Sequence, residues 1–185
     1  MSDFEFHPVT AENWSDLAGF FRANGNPNYC WCMRWRLRSK EFAADDAAGR
    51  RSKLEKLVDE KVPIGVLAYY EDRVVGWCSI APRETYTALE KSRVLPRLDE
   101  QPVWSVVCFF VDRDFRGQGL ASQLLTAAVD YAQSQSATIV EGYPVEPGKS
   151  YQFMGAPAVF EKVGFEEAGT GKNGRKIVRF KTNDK

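Results

Sequence analysis

Between Val103 and Ala132 an apolar run gives way to Arg116-Gly117-Gln118-Gly119-Leu120-Ala121 and then to a helical repeat. Trp104-Ser105-Val106-Val107-Cys108-Phe109-Phe110-Val111 reads as a buried strand. Leu120, Leu124, Leu125, Ala128 and Ala132 then recur at helical spacing. A strand that turns through glycines into a helix sets unpaired N–H groups and the positive end of the helix dipole at the turn, where a phosphate is favoured. Gly117 and Gly119 lack a Cβ and let the backbone approach a diphosphate closely. Arg113 and Arg116 offer charge-assisted donors for the same anion.

The 185 residues suit one domain, 1–185, with a single sizeable core. Hydrophobic residues make up 44% and aromatics 13%, a globular composition. Lys+Arg and Asp+Glu are both 25, so the chain lacks the excess of basic charge that general nucleic-acid binding needs. We expect no nucleic-acid partner. No apolar run approaches the ~18 residues of a membrane span, and the N-terminus lacks a signal-peptide pattern. The expectation is a cytoplasmic protein without a membrane partner, monomer or homodimer. Cys30, Cys32, Cys78 and Cys108 then read as reduced thiols. Cys30-Trp31-Cys32 has no second cysteine pair or histidine at ligand spacing, so no metal site is expected.

Phe4–Val9 reads as a first strand. Thr10 is placed to cap a helix from Ala11 to Asn24, which Gly25-Asn26-Pro27-Asn28 breaks. Phe42 to Glu60 reads as one charged helix stopped before Pro63. Ile64–Tyr70 and Val74–Ile80 form a hairpin across Glu71-Asp72-Arg73. An irregular connection from Pro82 to Pro102 holds a short helix around Tyr86–Ser92. Thr138–Tyr143 is a fifth strand, Ala158–Val163 a short helix, and Phe165–Ala168 with Lys176–Lys181 a closing antiparallel pair. The order is α/β in character, with a mixed sheet of about seven strands flanked by helices.

The run from Val111 to Ala121 resembles the acetyl-CoA motif of the GNAT superfamily of N-acyltransferases, R/Q-x-x-G-x-G/A, with Arg116, Gly119 and Ala121 in its defined places. About 40 residues further on, Ala158-Val159-Phe160-Glu161-Lys162-Val163-Gly164-Phe165 is similar to the family's late helix and closing Gly-Phe. The resemblance implies a GNAT-like fold with a central twisted mixed sheet, and acetyl-CoA as cosubstrate. It places the CoA phosphates on Arg116, Gly117, Gln118, Gly119, Leu120 and Ala121. It sets the pantetheine arm along the backbone of Phe109, Phe110 and Val111, where an N–H polarises the thioester carbonyl. The implied reaction is direct transfer of an acetyl group to a primary amine, on a small molecule or a peptide. A non-catalytic CoA-binding or sensing domain on the same fold is the alternative.

The chemistry of transfer needs a neutral amine and hence a base. The family's fourth-strand glutamate is absent here, and Glu141, interrupting an apolar strand, is the substitute; an edge carboxylate paired with a cation is the other reading. The family's tyrosine acid falls at Phe160, which cannot donate a proton. Tyr151 is the better-placed replacement, with Tyr143 or unassisted thiolate departure as alternatives. Cys108, beside the expected thioester, reads as a buried, inert thiol.

Tyr29 to Arg38 alternates aromatic and basic side chains. It reads either as a wall of the acceptor site, with Tyr29, Trp31 and Arg34 touching the substrate, or as a seam packed into the core. As a wall, one of Arg34, Arg36 and Arg38 would hold a carboxylate on the acceptor.

Overall fold

The computed structural model describes residues 4–148 and 152–182. Its strands are β1 (Phe4–Pro8), β2 (Gly65–Tyr70), β3 (Arg73–Pro82), β4 (Trp104–Val111), β5 (Ile139–Gly142), β6 (Glu166–Thr170) and β7 (Lys176–Lys181). They form one sheet in the order β1-β2-β3-β4-β5-β7-β6. All pairings are antiparallel except that of β4 with β5. A parallel neighbour requires a crossover, and helix α6 (Leu120–Ser134) supplies it.

Alternation along the strands divides the interior. On one face, Leu67, Trp77 and Val107 pack with α1 (Trp14–Arg22), through Leu17 and Phe21, and with α4 (Ala47–Asp59), through Leu54 and Val58. On the other, Val66, Ala68, Val106 and Val140 meet Leu124, Leu125 and Ala128 of α6 and Phe160 of α7 (Pro157–Val163). The apolar spacing read from α6 is therefore the stripe that covers the sheet.

Two expectations for the first sixty residues change. Helix α1 begins at Trp14 because Asn13, not Thr10, organises the turn: its Oδ1 accepts from Thr10 N at 2.8 Å and its Nδ2 donates to Pro8 O at 3.0 Å. The stretch that was to break the helix forms α2 (Gly25–Cys30) instead, with Pro27 in its first turn, where a missing N–H leaves no bond unmade. The expected helix from Phe42 to Glu60 is two, α3 (Ser39–Ala44) and α4. Asp45 ends one and Asp46 starts the other, its carboxylate accepting from Gly49 N at 2.7 Å. The short helix in the irregular connection is α5 (Thr87–Glu90).

The decisive local feature lies in β4. Cys108 pairs with Ser79 and Val106 with Ile80, which leaves Val107 as an extra residue, a β-bulge. The parallel register with β5 runs only from Trp104↔Val140 to Val106↔Gly142, after which β4 continues to Val111 unpaired on that edge. The sheet thus opens a gap beside the second half of β4. Phe160 closes the gap's lower end. A Cβ on Gly142 would lie 2.2 Å from its ring, so glycine is what lets α7 seat there.

Candidate active site

The glycine turn leads into an uncapped helix N-terminus. Gly117 and Gly119 both adopt the left-handed conformation, with φ of 75° and 77°. Gly119 stands at the N-cap of α6, no side chain caps the helix, and the first intrahelical bond is Gln123 N to Gly119 O. The N–H groups of that first turn are left for an anion. Arg116 leans back over the strand end, Nε donating to Val111 O at 2.9 Å with its guanidinium 5.6 Å from the Phe110 ring centroid. From the α7 side, Lys162 Nζ lies 3.6 Å from where a Gly119 Cβ would be. Sequence reasoning did not assign Lys162 to the site, although it belongs to the late-helix motif.

The free edge of β4 follows from the same geometry. Asp112 N–H donates to Val75 O on β3 at 2.9 Å. Strand alternation therefore turns the N–H and C=O of Val111 and Phe109 toward the gap, and those of Phe110 toward β3. Val111 and Phe109 carry the backbone groups an extended arm could pair with. The Phe110 side chain, not its backbone, reaches the site.

A cleft of about 620 Å³ joins these parts, lined by Phe109, Phe110, Val111, Arg116, Gly117, Gly119, Leu120 and Ala121 among others. Gln118 is absent from its wall, and its side chain braces the turn through Asp114 O at 3.0 Å. Arg113 does not line it either.

At Asn26, Phe110 and Phe153 the cleft meets a second pocket of about 340 Å³. Its wall is almost wholly aromatic and sulfur-bearing: Phe21, Tyr29, Trp35, Phe42 and Trp77, with Cys30, Cys32 and Cys108. Arg34 sits at its rim, guanidinium 5.0 Å from the Phe42 ring centroid. The segment Tyr29 to Arg38 is thus both wall and seam. Tyr29 and Arg34 line the pocket. Trp31 does not; it is 2% exposed, packed in the core with its ring tilted 5.4 Å from Phe21 and 6.3 Å from Trp14. Arg36 is structural too, buried over the Tyr86 ring and donating to Thr85 Oγ1 at 3.0 Å. Arg38 pairs with Glu41.

All four cysteines are free. The turn after α2 puts Trp31 and Cys32 in the left-handed region, φ 47° and 53°, an unusual backbone for two bulky residues that aims Cys32 toward Cys108. The neighbouring Cys108 thiol holds the Cys32 thiol below the usual range, and the proximity of Cys32 together with burial pushes Cys108 well up. Burial likewise lifts Cys30 to about 11.

Glu141 lies elsewhere. It is fully buried, Oε1 accepting from Arg83 Nη1 at 3.0 Å and from Tyr143 OH at 2.7 Å, Oε2 from Arg179 Nε at 2.7 Å. Neither pocket includes it. Tyr143 is equally committed: it also accepts from Arg83 and shares a hydrogen bond with Ser105, and burial beside the Glu141 charge raises its hydroxyl well above the usual range. Arg83 continues to Glu90 and Arg179 to Asp99, so the network ties β5 and β7 to the connection after β3. Tyr151 lies outside the described residues.

Among the described residues no cluster of three or more His, Cys, Asp or Glu side chains could hold a metal ion, and no helix is long and apolar enough to cross a membrane.

Comparison with known proteins agrees with this geometry. An 85-residue stretch, 46% of the chain, is 29% identical to an uncharacterized N-acetyltransferase of Methanocaldococcus jannaschii, of whose length it spans 35%. The fold is shared with the ribosomal-protein-S5-alanine acetyltransferase of Vibrio fischeri (TM-score 0.59, 11% identity, 100% of this chain and 96% of that one). It is also shared with YncA of Salmonella typhimurium, whose structure holds its cofactor acetyl-CoA (TM-score 0.58, 13% identity, 100% and 96% covered). The profile of the acetyltransferase (GNAT) family matches residues 29–165, most of the chain and both halves of the site, and the chain belongs to that family.

Proposed function

We propose that the chain transfers the acetyl group of acetyl-CoA to a primary amine by direct attack within a ternary complex. The observation that carries this reading is the junction of the two cavities at Asn26, Phe110 and Phe153. A domain that only sensed CoA would need the cleft alone.

In this reading the CoA diphosphate rests on the first turn of α6, with Arg116 and Lys162 as its cations. The pantetheine arm runs along Phe109 and Val111, whose N–H groups stabilise the oxyanion. The amine enters from the aromatic pocket. Its nitrogen forms the new C–N bond, the C–S bond breaks, the nitrogen gives up a proton and the departing thiolate gains one. Tyr151, just before the Gln152 and Phe153 that line the cleft, is our choice for the donor of that last proton. Glu141 holds β5 in place. Its carboxylate is engaged by two guanidinium groups and lines neither pocket, so it is not placed to take the amine's proton.

Ala121→Asp tests the phosphate assignment without disturbing a left-handed glycine. A carboxylate in the first turn of α6 should weaken acetyl-CoA binding at least tenfold, about 1.4 kcal/mol by calorimetry, while the helix signal persists. Unchanged affinity in a folded variant would reject the site.

A further inference from the structure

We propose that the acceptor is a small amine with its amino group at one end, an apolar ring or chain in the middle, and an anionic group at the other end held by Arg34. This rests on the reading of the aromatic pocket as the acceptor site.

The pocket has two openings of different character. Asn26, Phe110 and Phe153 belong both to it and to the cleft, so the thioester lies at that end. Arg34 and Trp35 belong both to it and to a third, open groove of about 520 Å³, which also includes Arg38 and Lys91. No residue is shared by the cleft and that groove. A substrate reaching the thioester from the pocket therefore has its tail at the basic end.

The charged side chains at that end, Arg34, Arg38 and Lys91, are all cations. Of the arginines in this segment, Arg36 is consumed by Thr85 and Pro63 and Arg38 by Glu41, whereas Arg34 makes no ion pair among the described residues. A carboxylate on the acceptor would give the Arg34 guanidinium a charge-assisted partner. Between the ends, aromatic rings and sulfur offer a fit only to apolar bulk. Among the described residues no carboxylate lines the pocket, so a second ammonium group would lose its hydration without gaining a counter-ion. An α-amino acid is also a poor fit, because its amine and carboxylate share one carbon and cannot occupy both ends.

Three matched amines decide the matter: phenethylamine, the same amine with a para-carboxylate, and the same amine with a para-aminomethyl group. Thiol release from acetyl-CoA should give the para-carboxylate a kcat/KM at least ~10-fold above phenethylamine, with the dication lowest. Arg34→Gln should shrink the preference for the carboxylate to less than about 3-fold. A dication that turns over as well as the carboxylate, or a preference that survives Arg34→Gln, would overturn the proposal. So would faster turnover of an alanine-terminated peptide than of the para-carboxylate. Calorimetry separates the two readings. If acetyl-CoA does not bind, the acetyltransfer reading fails, and titration of the para-carboxylate amine into wild type and Arg34→Gln still tests the pocket. If acetyl-CoA binds but the carboxylate amine gives neither heat nor turnover, the acceptor assignment alone is wrong.

Discussion

Both oxygens of Glu141 accept from guanidinium nitrogens, and the residue is sealed from solvent. Removing one charge from such a buried network leaves two arginines under-compensated, at a cost of about 3 kcal/mol. Glu141→Gln should therefore lower the melting temperature by roughly 6–12 °C. Turnover per folded molecule, and the shape of the pH–rate profile, should stay as in wild type. A hundredfold loss of kcat at unchanged stability would reinstate Glu141 as the base. The carboxylate was conspicuous in its apolar strand, but its partners are Arg83 and Arg179, separated from it by 58 and 38 positions along the chain. Phe160 carries the same lesson. At the position of the family's usual tyrosine, it is 1% exposed and packed against Gly142 and Phe109, closing the sheet gap rather than facing the cleft.

At the scale of elements, the central strands β2 to β5 and the crossover helix followed their apolar periodicity closely, because each buries a continuous stripe. The first sixty residues did not. There, short helices are set by single polar side chains, such as Asn13 before α1 and Asp46 before α4, whose hydrogen bonds outweigh modest propensities. Asp46→Ala removes the cap that divides α3 from α4 and should cost about 1 kcal/mol. The melting temperature should fall by roughly 2–4 °C. A variant as stable as wild type would mean that packing of Leu54 and Val58, not the cap, places the helix start. The β4 bulge at Val107 is likewise invisible to periodicity: an apolar run reads the same with or without one extra residue.

For the molecule as a whole, the site joins distant stretches: the glycine turn, the edge of β4, Lys162 on α7, and the wall after α2. A ligand bridging them should stabilise the entire domain. At a hundred times its Kd, acetyl-CoA adds ~2.7 kcal/mol, a rise in melting temperature of roughly 5–10 °C measured by scanning calorimetry. Absence of any shift at millimolar acetyl-CoA would contradict binding across these elements. Local order along the chain was enough to establish the strand–glycine–helix unit and the mixed sheet around it, since each depends on neighbours within a few turns. Tertiary structure alone decided the rest. It sent Trp31 and Arg36 into the core and left Arg34 at the pocket rim, and it turned Gln118 away from the cleft. It also made Glu141 a structural anchor. Those outcomes depend on which side chains from remote segments reach a buried group first, and on the single extra residue in β4 that sets which backbone groups face the gap.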